Sequence, residues 1–168
     1  MNKTSITMDR TDYYREYKRG ARFRKWIVTH TDIDLATLSE EVYLALYNLY
    51  VDGLTGKDVP SVDDILRRAR RMVDECDFTL GEAVRRSVDI ERLIADMKRG
   101  VVEFSYLHQA SGEERHVRGT LSGRVAPYVR AMAAPRASAL IVAFWNPDEQ
   151  TWMGFSSGDF IGRIDNAE

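Results

Sequence analysis

The sequence predicts an α+β fold: a helical module over residues 1–99, then a small five-stranded β-barrel over residues 100–168. Three observations carry this. Capping boxes at Thr37/Glu40, Ser61/Asp64 and Thr79/Glu82 each precede an apolar stripe of helical period. After Gly100 the apolar period falls to 2, as a pleated strand requires. Five short strand-like runs then follow in quick succession, and closing them into a strongly curved barrel removes exposed edges.

The first helix is read from "TDYYREYKRGARFRKWIV", where Tyr13, Tyr17, Phe23, Trp26 and Ile27 recur at three- and four-residue spacing with breaks. Gly20 weakens its centre by about 1 kcal/mol relative to Ala, which allows a bend or two short pieces. In "TLSEEVYLALYNLYVDG", Leu38, Val42, Leu46, Leu49 and Tyr50 form the stripe and Gly53 stands at the C-cap position. "SVDDILRRARRMVDE" turns Val62, Ile65, Ala69, Met72 and Val73 inward and leaves Arg67, Arg68, Arg70 and Arg71 outside. "TLGEAVRRSVDIERLIADMKRG" is either continuous or broken near Ser87–Asp89, and Gly100 closes it.

In the strand half, Val102, Phe104 and Tyr106 share one face, opposite Glu103, Ser105 and Leu107. "QASGEER" turns the chain at Ser111–Gly112. The return strand sets Arg115, Val117, Gly119 and Leu121 against His116, Arg118 and Thr120. Residues 122–136 read as a longer loop. "ASALIVAFW" reads as a buried strand, "NPDEQ" as a hairpin turn, "TWMGFS" as a strand, and "DFIGRI" as a short last strand or single turn.

Charge is polarised within a near-neutral total of −2. Residues 1–30 hold eight Lys/Arg against three Asp/Glu, and residues 31–60 hold one against six. That pattern suits a basic contact arm, or two elements that neutralise each other. Cys76 is the one cysteine, so no internal disulfide forms. The longest apolar run, Ala137 to Trp145, is strand-length, so no membrane span is expected, and no secretory h-region opens the chain. A cytoplasmic location is expected.

A catalytic constellation is not visible. His30, His108 and His116 lack metal-ligand spacing, although His108 and His116 could meet across the hairpin. Cys76 lies among acids, surroundings that do not activate a thiol. Nucleophile-elbow, phosphate-loop and dinucleotide motifs are missing, so neither an enzyme nor a cofactor is expected. "VDGLTGKDVP" is longer than the turn of a DNA-binding helix-turn-helix.

Two sets of residues point to binding. Arg15, Lys18, Arg19, Arg22, Arg24 and Lys25, interleaved with Tyr17, Phe23 and Trp26, are the residue types that neutralise phosphates and stack on bases; Arg68 is added from a later helix. The bland reading is an amphipathic helix with buried aromatics and a solvated basic face. In the strand half, Arg115, Arg118, Arg163 and Trp152 could supply guanidinium forks and a stacking wall, with Trp145 assigned to the core. Arg115 and Arg118 are three apart and fall on opposite strand faces.

"GVVEFSYLHQASGEERHVRGTLSG" together with "IVAFWNPDEQTWMGFSSGDFIGRI" resembles the WYL-like (WYL_2) domains of bacteria and phages. Val102, Phe104 and Tyr106 match its first strand; Gly112, Arg115, Gly119 and Thr120 its return strand; Phe144, Trp152 and Phe155 its later pair. The resemblance covers roughly residues 79–165. It departs at Gly154, where the pattern often has arginine, and at Ser111, where it has Asp. It implies an Sm-like, SH3-type barrel with a sensing or regulatory role, and fold alone does not fix function. The expectation is a non-enzymatic regulatory or accessory protein that binds nucleic acid. The alternatives are an interaction module for another protein or a second copy of the chain, phage- or mobile-element-encoded, resting on "YLALYNLY", and a small-ligand sensor.

Overall fold

The structure is a computed structural model, and it describes residues 18–25, 27, 28, 34, 36, 38–56, 59–124 and 138–164. Packing divides the chain into two units, Met1–Lys57 and Asp58–Glu168.

The first unit contains helical residues 18–25 and helix α1, Glu40–Leu54. Its cap differs from the sequence reading. Ser39, not Thr37, is the N-cap, with its side chain accepting from the Val42 N–H. Gly53 lies inside the last turn, Thr55 is the C-cap, and Gly56 follows at φ 81°, a backbone state that glycine adopts without strain.

The second unit opens with helices α2, Val62–Cys76, and α3, Leu80–Met97. Here the expected caps hold: Ser61 accepts from the Asp64 N–H and Thr79 from the Glu82 N–H. α3 runs unbroken through Ser87–Asp89. Ser87 is buried, and its hydroxyl faces the Met72 sulfur of α2 at 3.6 Å.

Five strands follow: β1 Val101–His108, β2 Glu113–Thr120, β3 Ile141–Asn146, β4 Thr151–Ser156 and β5 Phe160–Arg163. The loop reading of residues 125–136 lies outside the described residues. The turn expected at Ser111–Gly112 is present, with Gly112 at φ 70°. "DFIGRI" resolves into a 3-10 turn, Ser157–Asp159, and then β5.

The sheet order β4-β3-β2-β1-β5 explains the curvature. β4 and β5 are sequence neighbours yet occupy opposite edges. In a flat sheet four strand spacings would separate them by about 19 Å. A three-residue 3-10 turn rises only about 6 Å, so the sheet must curl until its edges approach. A register shift at Ser105/Tyr106 in the β1–β5 pairing assists. Inside, the Phe155 ring of β4 lies 5.2 Å from Tyr106 of β1 and 5.8 Å from Phe160 of β5. Ile90, Leu93 and Met97 of α3 join Phe104, Phe144 and these rings in one core.

The join between α3 and the barrel depends on Thr120. Its buried hydroxyl lies 2.8 Å from the Gly100 carbonyl and 3.2 Å from that of Met97, and it accepts from the Ser122 N–H at 3.0 Å. Thr120→Val, which removes only the hydroxyl's polarity, is expected to lower stability by about 1–3 kcal/mol. Urea unfolding checks this, and an unchanged midpoint would mean that water replaces the hydroxyl.

Candidate functional site

The basic segment of the first unit is amphipathic. At 100° per residue Lys18, Arg22 and Lys25 form one exposed stripe, while Phe23 and Ile27 are fully buried on the other side. Arg24 is exposed and Arg19 half-buried on the flanks. Between residues 18 and 25 five of eight side chains are cationic and none is acidic.

Phe23 is fully buried and so is not placed to stack on a base. Its ring meets Tyr43, Tyr47 and Tyr50 of α1 at centroid distances of 5.4, 5.5 and 5.2 Å. Such edge-on and tilted contacts make Phe23 the anchor of its helix. They also turn the three tyrosines inward, so each is half-buried. Arg15, Tyr13, Tyr17, Trp26 and His30 lie outside the described residues.

Arg68 corrects the sequence reading. The helical pattern placed it outside with Arg67, Arg70 and Arg71, but it is only 6% exposed. Its Nε and Nη2 donate to Glu91 Oε1 of α3 at 3.1 and 2.9 Å. Its Nη1 donates to the Ala139 carbonyl and to Ser157 Oγ, both at 2.9 Å. A guanidinium is long enough to reach past the helix edge, and here it ties α2, α3, the approach to β3 and the 3-10 turn together. Phosphate contact is closed to it. The other arginines of α2 pair within the helix: Arg67 with Asp63 at 2.7 Å, Arg70 with Asp74 at 3.3 Å and Arg71 with Glu75 at 2.8 Å. Glu75 also raises the Arg71 pKa through its hydrogen bond and its charge.

The barrel residues singled out from sequence occupy separate places. Arg115 is exposed opposite Tyr106 towards the hairpin tip. Arg118, opposite Glu103, pairs with Asp148 of the β3–β4 turn at 3.1 Å. Trp152 is half-buried and faces Trp145 across β3–β4, their rings edge-to-face at 5.8 Å. Trp145 is buried as expected, and neither indole N–H meets an acceptor. Arg163, opposite Phe104 on β5, pairs with Asp96 of α3. Among the described residues no hydrogen bond, ion pair or ring contact joins these four. The hairpin also separates the two histidines: His108 Nδ1 lies 2.9 Å from Ser111 Oγ, while His116 stands opposite Ser105 with Glu114 at 3.3 Å.

Arg163 does belong to a groove that the sequence reading missed. The groove encloses about 480 Å³ along the outer face of α3. Arg92, Lys98, Arg99 and Arg163 supply its cations, and Ile94 and Ala95 are among its apolar lining. Val59, Pro60 and Asp64, at the start of α2, form the facing wall. The signal lay in "ERLIADMKRG", because Arg92, Asp96 and Arg99 are spaced i, i+4, i+7.

No helix among the described residues is long and apolar enough to cross a membrane. Residues 90–161 match the family model described as WYL_2, Sm-like SH3 beta-barrel fold, and the N-terminal region has no family match. The resemblance read from the sequence is thereby shown, within somewhat narrower bounds. Such a domain suggests a regulatory or binding role. No curated protein and no solved structure matches the chain.

Proposed function

We propose that this chain is a non-enzymatic regulatory or accessory protein that binds nucleic acid through the basic helical segment of its first unit. One observation carries the reading: cations at residues 18, 22 and 25 share an exposed stripe while Phe23 and Ile27 hold the opposite side inward. Such a stripe neutralises backbone phosphates and releases their counterions. With Phe23 engaged by tyrosines, the described residues of this surface offer charge rather than stacking, so sequence preference is expected to be weak.

Fluorescence anisotropy with labelled single- and double-stranded DNA and RNA tests it. Affinity is expected to fall steeply with salt. Lys18→Ala with Arg22→Ala, both exposed positions, should weaken binding to every sequence and lower the duplex salt slope by about 2. A flat salt response, or a double variant that binds like the parent, would overturn the proposal. The rival, a host or self protein partner docked on the helical half, keeps Val28, Leu44 and Leu54 as exposed large apolar groups among the described residues of this unit, since the tyrosines are turned to Phe23.

A further inference from the structure

The groove along α3 lies in the other unit and plays no part in that reading. We infer that it binds a small organic oxyanion, a phosphate or carboxylate carried on an apolar body of about mononucleotide size.

Its charge is unbalanced. Four cations line it against the carboxylates of Asp64, Glu91 and Asp96. Glu91 is already committed to buried Arg68. Asp64 has Arg67 within 3.9 Å, and Asp96 is shared between Arg99 and Arg163. Arg92 and Lys98 have no carboxylate partner among the described residues and are exposed. Lys98 and Arg99 have an ordinary explanation, because cations just beyond a helix C-terminus complement its dipole. That explanation does not reach Arg92, well inside α3, nor Arg163, which comes from the sheet. Asp96 holds Arg163 over the groove, and a guanidinium has donors to spare after one carboxylate contact.

Size and shape agree with this chemistry. Arg92 comes from inside α3, Lys98 and Arg99 from just past its end and Arg163 from β5, and Ile94 and Ala95 line the groove with them. An apolar body can lie against Ile94 and Ala95 while its anionic group meets the cations. The volume of about 480 Å³ falls in the range of small-ligand sites, about 300–1,000 Å³. The N–H groups opening α2 are not the anion's partners, because Ser61 caps them and Asp63 and Asp64 front them.

The test is a 1H–15N NMR titration of the full chain with adenosine 5′-monophosphate, adenosine and phenylacetate. Saturable shifts are expected at residues 92–99 and 163 with at least one of the two anions, and the tighter one identifies phosphate or carboxylate as the preferred group. Arg92→Gln with Lys98→Gln should weaken that anion about tenfold, and the charge-keeping pair Arg92→Lys with Lys98→Arg should hold it within about threefold. No saturable shift there with either anion would overturn the inference. So would adenosine binding as tightly as its monophosphate if that is the tighter anion, or a glutamine pair that folds normally and binds like the parent. Failure here leaves the Lys18/Arg22 result unaffected, since those residues belong to the other unit.

Discussion

Replacing Arg68 by methionine is expected to destabilise the second unit by about 3 kcal/mol, the low end of the cost of leaving a largely buried carboxylate unpaired. The Arg68 and Glu91 side chains are 8% and 14% exposed, so neither charge is well hydrated. Arg68 also supplies a donor to the Ala139 carbonyl and one to Ser157 Oγ, and that hydroxyl in turn donates to the Leu140 carbonyl at 2.5 Å. Losing the guanidinium therefore loosens the entry to β3 and the turn that carries the chain to β5. Urea unfolding gives the single-variant cost, and Arg68→Met with Glu91→Leu gives the control. Removing both charges should recover more than half the loss, because well-packed apolar groups commonly replace a buried pair at little cost. A single-variant effect below about 1 kcal/mol, the range of exposed pairs, would show that Arg68 is solvated.

Gly119→Ala is expected to cost about 2–3 kcal/mol by overpacking. A Cβ at this position would lie 2.7 Å from the Phe144 ring and 2.8 Å from the Phe104 ring. Both rings are fully buried and sit edge-to-face at 5.0 Å, so neither moves without disturbing the other. Phe144→Leu, which shrinks one obstacle, should be strongly non-additive with Gly119→Ala, and the double variant should be more stable than the separate losses imply. Purely additive losses in urea unfolding would mean that the strand, not the ring, makes room.

These two positions show what kind of information the sequence withheld. The period-2 run Val102, Phe104, Tyr106 is legible because alternation along a strand is local, and the three do line the core. Ser61/Asp64 and Thr79/Glu82 are legible because a cap bonds three residues along the same chain. Thr37/Glu40 misled because Ser39 caps the helix two residues later, accepting from the Val42 N–H, a choice that spacing does not decide. The Gly119–Thr120 pair is visible as a pattern, but its reasons are distant: rings from β1 and β3 for the glycine, and helix-end carbonyls for the threonine.

The binding residues divide the same way. The basic stretch of residues 18–25 is a fact of composition, and its helical period separates Lys18, Arg22 and Lys25 from Phe23 and Ile27 without any partner. Arg68 reads as one of four similar arginines until Glu91, Ala139 and Ser157 meet around it. Arg115 and Arg118 were already separable by strand alternation, but the places of Trp152 and Arg163 depend on which strands pair. Arg163 joins Arg92, Lys98 and Arg99 because β5 pairs with β1 beside α3. The sequence by itself determined two of the three helical caps, the switch to strands at Gly100, the barrel class and the basic stripe, since each depends on spacing within one element. Only the tertiary structure decided which charges are buried, which are paired and which line a groove. Those outcomes depend on neighbours dozens of residues away, brought close by a sheet that must curl to join β4 to β5.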